Sequence, residues 1–336
     1  MSRATSRAAF SVEEAIHAAY NSAHGAQAIS RLCEGNSTMI QRLTGGFAGG
    51  GVAALALVLL VAVFAPGCAT VHPDTGRLNI PAADVSLERK IAEKGNEHVA
   101  SKQKLAQAPE LVAYVDRVGQ RLAAVSDRPD ILYTFKVVDD DSINAFTVGY
   151  GYIYLNTGLI ARMDNEAQFA SVIAHELGHV TRFHLVESYQ SRRNQMITYR
   201  ILGTIIDTTL QVFGLPAILG TGKDLALDVV SNATVNGFSR TQEDQADRVG
   251  LEYMHRAGYE PNEYPKVFQT FLRAYGDSGA VTNFVFGDHS TNRKRYEVTS
   301  QLVREKYLLP ASGRRPIVDT PEFQTVKRKL IAGAYY

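Results

Sequence analysis

Residues 166–189, EAQFASVIAHELGHVTRFHLVESY, contain no proline and only one glycine, Gly178, and their patterning predicts one continuous helix with the HELGH pentapeptide inside it. Residues four apart on a helix are rotated by roughly 400°, so His175 and His179 fall on one face, one turn apart. Two imidazoles at that separation can share one Zn2+ at tetrahedral angles, and Glu176 projects beside them, where it can take a proton from a water on the metal. The pattern H-E-x-x-H fixes only three residues in five and recurs by chance. An ordinary amphipathic helix, with both histidines satisfied in a core, is the competing reading, and the rest of the chain has to decide between them.

A catalytic zinc takes a third protein ligand and keeps one position open. Downstream, SRTQEDQAD at residues 239–247 places Glu243 and Asp247 one turn apart on a second predicted helix. Glu243 could complete the metal shell, and Asp247 could accept the ring N–H of a ligating histidine and fix its tautomer. His184 is the other candidate. The three-histidine pattern H-E-x-x-H-x-x-G-x-x-H, however, requires Gly at 181 and His at 185, where this chain has Thr181 and Leu185. On a continuous helix His184 also points away from the ligand face, so it reads as a structural residue.

Outward from these two helices the sequence predicts an α+β fold that is mainly helical, with a small β-sheet. Helical patterning begins near Ser86 and runs through LERKIAEKGNEHVASKQKL, and a second helix follows Pro109 over ELVAYVDRVGQRLAAV. ILYTFKVV at 131–138 reads as a strand, and INAFTVGYGYIYLNTGLI at 143–160 as a strand pair turning at Gly149 and Gly151. The helix over TQEDQADRVGLEYMHRAG ends near Gly258, with Pro261 beyond it. Further helices are expected over 262–275 and 295–308. Within 199–238, the apolar run ILGTIIDTTLQVFGLPAILG is broken by Asp207, Gly214 and Pro216, which argues against a membrane span. That stretch could form a lid, a membrane contact or an oligomer interface.

Hydrophobic residues make up 45% of the chain and charged residues 21%, enough for a real core. Lys+Arg number 35 against 34 Asp+Glu, so the balance gives no sign of a nucleic-acid partner. The first 67 residues read as leader. GGGVAALALVLLVAVFA at 49–65 is an uncharged apolar run of signal-peptide type, followed by Pro66, Gly67 and Cys68, an arrangement like a bacterial lipobox. A start at Met39 gives a short n-region, MIQRLTGG, ahead of that run. Cys68 then becomes the lipid anchor, and no thiol remains for a disulfide in the mature chain. A single transmembrane anchor is the alternative for the same run. Either way the folded part is expected outside the cytoplasmic membrane. Residues 68–84 read as a tether, 85–310 as the main domain and 311–336 as a C-terminal tail. Ala69 after the cysteine points to sorting to the outer membrane.

Together HELGHVTRFH, SRTQEDQADRVG and NAFTVGYGYIYLNTGLI, the last some thirty residues ahead of the zinc helix, resemble the gluzincin metallopeptidases that include the HtpX membrane protease and the CAAX prenyl protease. The resemblance covers roughly residues 85–300 and is nearest to the periplasmic lipoprotein branch of LoiP and BepA type. It implies a zincin-like domain, one zinc per chain held by His175, His179 and Glu243, and Glu176 as general base. It also implies that Asn144, Ala145 and Phe146 lie on the edge strand that aligns an extended peptide. Less closely matched are His289, which could approach the zinc as a resting-state ligand or polarise the tetrahedral intermediate, and Arg295, which could hold that loop or the oxyanion. The function so implied is envelope protein quality control, with unfolded or misassembled envelope proteins as substrates. The alternative is a zinc-containing chaperone or assembly factor with little proteolysis.

Overall fold

The computed structural model describes residues 70–71, 78–79, 82–197, 224–275, 292–307 and 315–335. The leader with Met39, Cys68, His289 and residues 198–223 lie outside the described residues. In chain order the described elements are the strand pair β1 (Thr70–Val71) and β2 (Leu78–Asn79), helices α1 (Ala82–Lys102) and α2 (Pro109–Ala123), and strands β3 (Thr134–Val138), β4 (Ala145–Thr147) and β5 (Tyr152–Asn156). Helices α3 (Thr157–Arg162), α4 (Glu166–Thr181), α5 (Leu225–Asn236), α6 (Arg240–Arg256), α7 (Glu263–Tyr275), α8 (Asn292–Lys306) and α9 (Pro321–Ile331) follow. The fold is α+β and mainly helical, as the sequence predicts.

The sheet runs β3-β5-β4, with β3 parallel and β4 antiparallel to the central β5, so β4 is an edge strand. Both faces of the sheet are covered. Phe135, Val137, Ala145, Ile153 and Leu155 enter the main core with α2 and α4, while Val138, Phe146 and Tyr154 enter a second cluster with α1 and α5. The β4–β5 turn holds three successive residues at positive φ, Gly149 (86°), Tyr150 (43°) and Gly151 (84°), which is why glycine stands at two of them.

Asn165 caps α4 by accepting from the Gln168 backbone N–H at 2.9 Å, and every residue of this helix is buried, which matches its lack of a charged face. The expectation of one helix over 166–189 is corrected here. Helix α4 stops at Thr181, Phe183 takes φ +57°, and helix resumes over 184–197. A bulky residue in the left-handed region costs roughly 1–2 kcal/mol and needs outside support. Arg128 supplies it: its guanidinium lies 3.9 Å from the Phe183 ring centroid, donates to the Val180 carbonyl at 2.9 Å, and is held by the buried Glu88 at 2.9 and 3.2 Å. A cation on the last carbonyls of α4 also suits the helix dipole.

Within the stretch read as a C-terminal tail, 311–336, helix α9 is corrected as well, from tail to core. Thr320 caps α9, and Phe323, Val326 and Leu330, at helical spacing, are buried in the main cluster. The Thr320 hydroxyl also joins Tyr114 and Tyr259 on the buried Glu166 carboxylate. No helix among the described residues is long and apolar enough to cross a membrane.

Candidate metal centre

Helix α6 begins with a capping box, in which the Ser239 hydroxyl meets the Gln242 backbone and the Gln242 side chain returns to the Ser239 backbone. That start puts Glu243 in the first turn and Asp247 one turn later, on the side packed against α4. Close approach of the two helices depends on glycine at the crossing. A Cβ on Gly178 would stand 2.9 Å from the Ala246 Cα and carbonyl oxygen, and one on Gly250 would stand 3.1 Å from the His175 backbone nitrogen. Gly178→Val should therefore force the helices apart. Overpacking costs about 1–3 kcal/mol, more than the few tenths recovered from helix propensity. A melting temperature at or above wild type, with zinc affinity unchanged, would refute this account of the crossing.

At the crossing the Nε2 atoms of His175 and His179 face each other at 3.0 Å, with Glu243 Oε2 3.3 Å from the first and Oε1 3.7 Å from the second. All three side chains are buried, and their ligand atoms lie within 4.8 Å of one another. Glu243 Oε2 has no hydrogen-bond partner of good geometry, although Arg295 Nη1 stands 3.2 Å away. Two ring nitrogens and a buried carboxylate oxygen converging in this way fit a zinc ion.

The outward nitrogens are engaged too. His175 Nδ1 lies 3.0 Å from Asp247 Oδ1, and that carboxylate accepts from Arg295 Nε (2.9 Å), from Arg295 Nη2 (2.5 Å) and from the Tyr264 hydroxyl (3.0 Å). His179 Nδ1 lies 2.8 Å from His184 Nδ1, and the Phe238 ring stacks on His179 at 4.1 Å. Glu176, two residues ahead of Gly178, accepts a hydrogen bond from the Thr147 backbone, so strand β4 lies directly against it.

Burial sets the titration behaviour of these groups. It raises the Glu176 carboxyl to about 7, the Glu243 charge adding to the rise while His175 and Arg295 oppose it. For His175, burial and Arg295 pull downward, yet the Asp247 and Glu243 carboxylates prevail and raise it to about 9 in the metal-free chain. His179, buried and beside His175, is pushed well below the usual histidine value. Burial would raise Asp247, but Arg295 and His175 hold it well below the usual carboxylate range.

Of the residues singled out in the sequence, His175, Glu176, His179, Glu243, Asp247 and Arg295 come together here. Arg295, on α8, touches the Asp247 and Glu243 carboxylates. Asn144, Ala145 and Phe146 lie at strand β4, but their side chains are buried, with Phe146 stacked on Tyr154, so any contact they make with a peptide runs through the main chain. Tyr264, Phe238 and Gln245 were not picked out, and no local pattern marks them.

Two histidines one turn apart, a glutamate between them and a carboxylate from a second helix define a metallopeptidase centre of the Glu-ligand kind. A profile of peptidase family M48 matches residues 109–303, more than half of the chain, and the chain belongs to that family. It is similar to the beta-barrel assembly-enhancing protease of Escherichia coli O157:H7, with 28% identity over 224 residues, covering 66% of this chain and 45% of that protein. The protein of the same name from Yersinia pestis is 32% identical over 164 residues, 48% of this chain and 32% of that one. Mitochondrial metalloendopeptidase OMA1 of Arabidopsis thaliana is 30% identical over 179 residues, 53% and 33% of the two chains. The chain thus spans less than half the length of these relatives.

Proposed function

We propose that this chain is a zinc-dependent endopeptidase of the bacterial cell envelope that acts on unfolded or misassembled envelope proteins. The observation that carries this reading is the convergence of His175, His179 and Glu243 beside a buried Glu176 that itself touches an edge strand. When bound, zinc lowers the pKa of a water and polarises the scissile carbonyl. Glu176 takes the proton of the attacking water on its carboxylate and hands it to the leaving amine nitrogen. Strand β4 turns the Asn144 carbonyl and the Val148 N–H toward β5, so the main-chain groups of Ala145 and the Thr147 carbonyl face the open edge, where an extended peptide can add as a strand, while the Thr147 N–H is taken by Glu176. Arg295, paired with Asp247 and close to Glu243, holds these two carboxylates rather than an oxyanion.

The envelope assignment rests on the leader sequence and on the names of the bacterial relatives, which speak of β-barrel assembly. Anchoring through Cys68 and placement at the outer membrane are the finer parts of the same proposal. The test is digestion of unfolded casein by the purified chain, with and without a chelator. Cleavage that stops on chelation and returns with zinc is expected. Zinc uptake without cleavage would overturn the peptidase reading and favour a zinc-stabilised assembly factor.

A further inference from the structure

His184 was set aside above as structural, on the premise of a continuous helix. The break at Phe183 removes that premise: the chain turns back, and His184, fully buried, brings its Nδ1 to 2.8 Å from His179 Nδ1. Its other nitrogen, Nε2, lies 3.0 Å from Oε1 of Gln245, which stands on α6 between Glu243 and Asp247. The backbone of His184 is held as well, its carbonyl accepting from Gln242 Nε2 at 3.3 Å.

An amide oxygen can only accept, so His184 Nε2 carries the proton and His184 Nδ1 is left with a bare lone pair. That lone pair has to be met by a proton on His179 Nδ1, and the Nε2 of His179 is then bare, facing His175 and Glu243. We propose that His184 and Gln245 are positioning residues that lock His179 in the tautomer whose Nε2 is free to bind zinc. The inference rests on the zinc reading given above and adds residues to it.

The charges in the site give a reason for a neutral acceptor at this place. Glu243, Asp247 and ionised Glu176 carry three negative charges, and Arg295 with a divalent cation carries three positive ones. A carboxylate behind His179, matching Asp247 behind His175, would leave a buried net charge, whereas an imidazole accepts the same hydrogen bond without one.

The test measures zinc dissociation constants of the full chain by chelator competition. Gln245 is exposed, so its variants are expected to fold, and the metal-free melting temperature checks that they do. Gln245→Met removes the acceptor and should weaken zinc binding several-fold, while Gln245→Glu restores it and should stay within about twofold of wild type. His184→Phe keeps a ring but no acceptor and should weaken binding by roughly 10–100-fold. Nitrogen-15 spectra of the histidine-labelled, zinc-loaded chain should find the proton on Nδ1 of His179 and on Nε2 of His184. Equal zinc affinities for wild type, Gln245→Met and His184→Phe, or a proton on Nδ1 of His184, would overturn the lock while leaving the zinc site standing. A wild-type chain that takes up no zinc would overturn both.

Discussion

Glu176→Gln is expected to bind zinc as the wild type does and to lower kcat/KM for peptide hydrolysis by about 10³-fold, within the range that a positioned general base contributes. The substitution keeps the size of the side chain and its place on α4. It keeps an oxygen that can accept from the Thr147 backbone, and it leaves the three metal-facing side chains untouched. What it removes is the capacity to hold a proton. In the wild type, the burial that lifts Glu176 to about 7 makes it a stronger base than an exposed carboxylate, and a divalent cation beside it would bring that value down. Because the base must be deprotonated to act, wild-type kcat/KM should fall along an acid limb whose midpoint lies below that metal-free value. The residual activity of the variant should lack that limb. Zinc content equal to wild type with undiminished hydrolysis would remove Glu176 from the chemistry.

How much of this centre could be read from the chain depended on how local its geometry is. His175 with His179, and Glu243 with Asp247, are pairs one turn apart, and helical periodicity alone places each pair on one face. The β4–β5 hairpin was legible for a similar reason, since its turn needs positive φ and carries glycine where it needs it. The end of α4 was not legible, because Phe183 is held at positive φ by Arg128, which comes from the segment after α2, and by Glu88 from α1. Misplacing that helix end carried His184 to the wrong face and hid its contact with His179. Arg295 was a candidate for a different reason than its position supports: its partners Asp247 and Glu243 stand on α6, about fifty residues earlier in the chain, and no spacing rule spans that distance. Helix α9 was read as a tail because its apolar stripe is short, and only the core that it closes gives that stripe meaning.

Arg295→Met is expected to cost the metal-free chain about 3–5 kcal/mol, the range found when one member of a buried ion pair is removed and its partner stays behind. The Arg295 side chain is 2% exposed, fixed to Asp247 by two hydrogen bonds, 3.2 Å from Glu243, and stacked over the Phe268 ring at 4.7 Å. Methionine can fill much of that volume, so most of the loss should come from two carboxylates left without their cation in a buried crossing rather than from packing. Two measurements separate those causes. With saturating zinc the deficit should shrink, because the cation replaces the missing positive charge facing Glu243, although nothing replaces it at Asp247. The pH dependence gives the second. In the wild type the folded-state pKa of Asp247 is depressed, so its contribution is fully present above the unfolded value near 3.9 and is lost as the pH falls toward the folded one. In the variant Arg295 no longer opposes burial and only His175 and Tyr264 still do, so the Asp247 pKa moves up toward the unfolded value and the variant has less stability to lose as the pH falls. Urea unfolding of the two metal-free chains should therefore give a gap that narrows as pH is lowered from about 7 through that unfolded value. A gap of constant size over that range would mean that Arg295 acts through shape, and the charge balance proposed for the centre would fail with it.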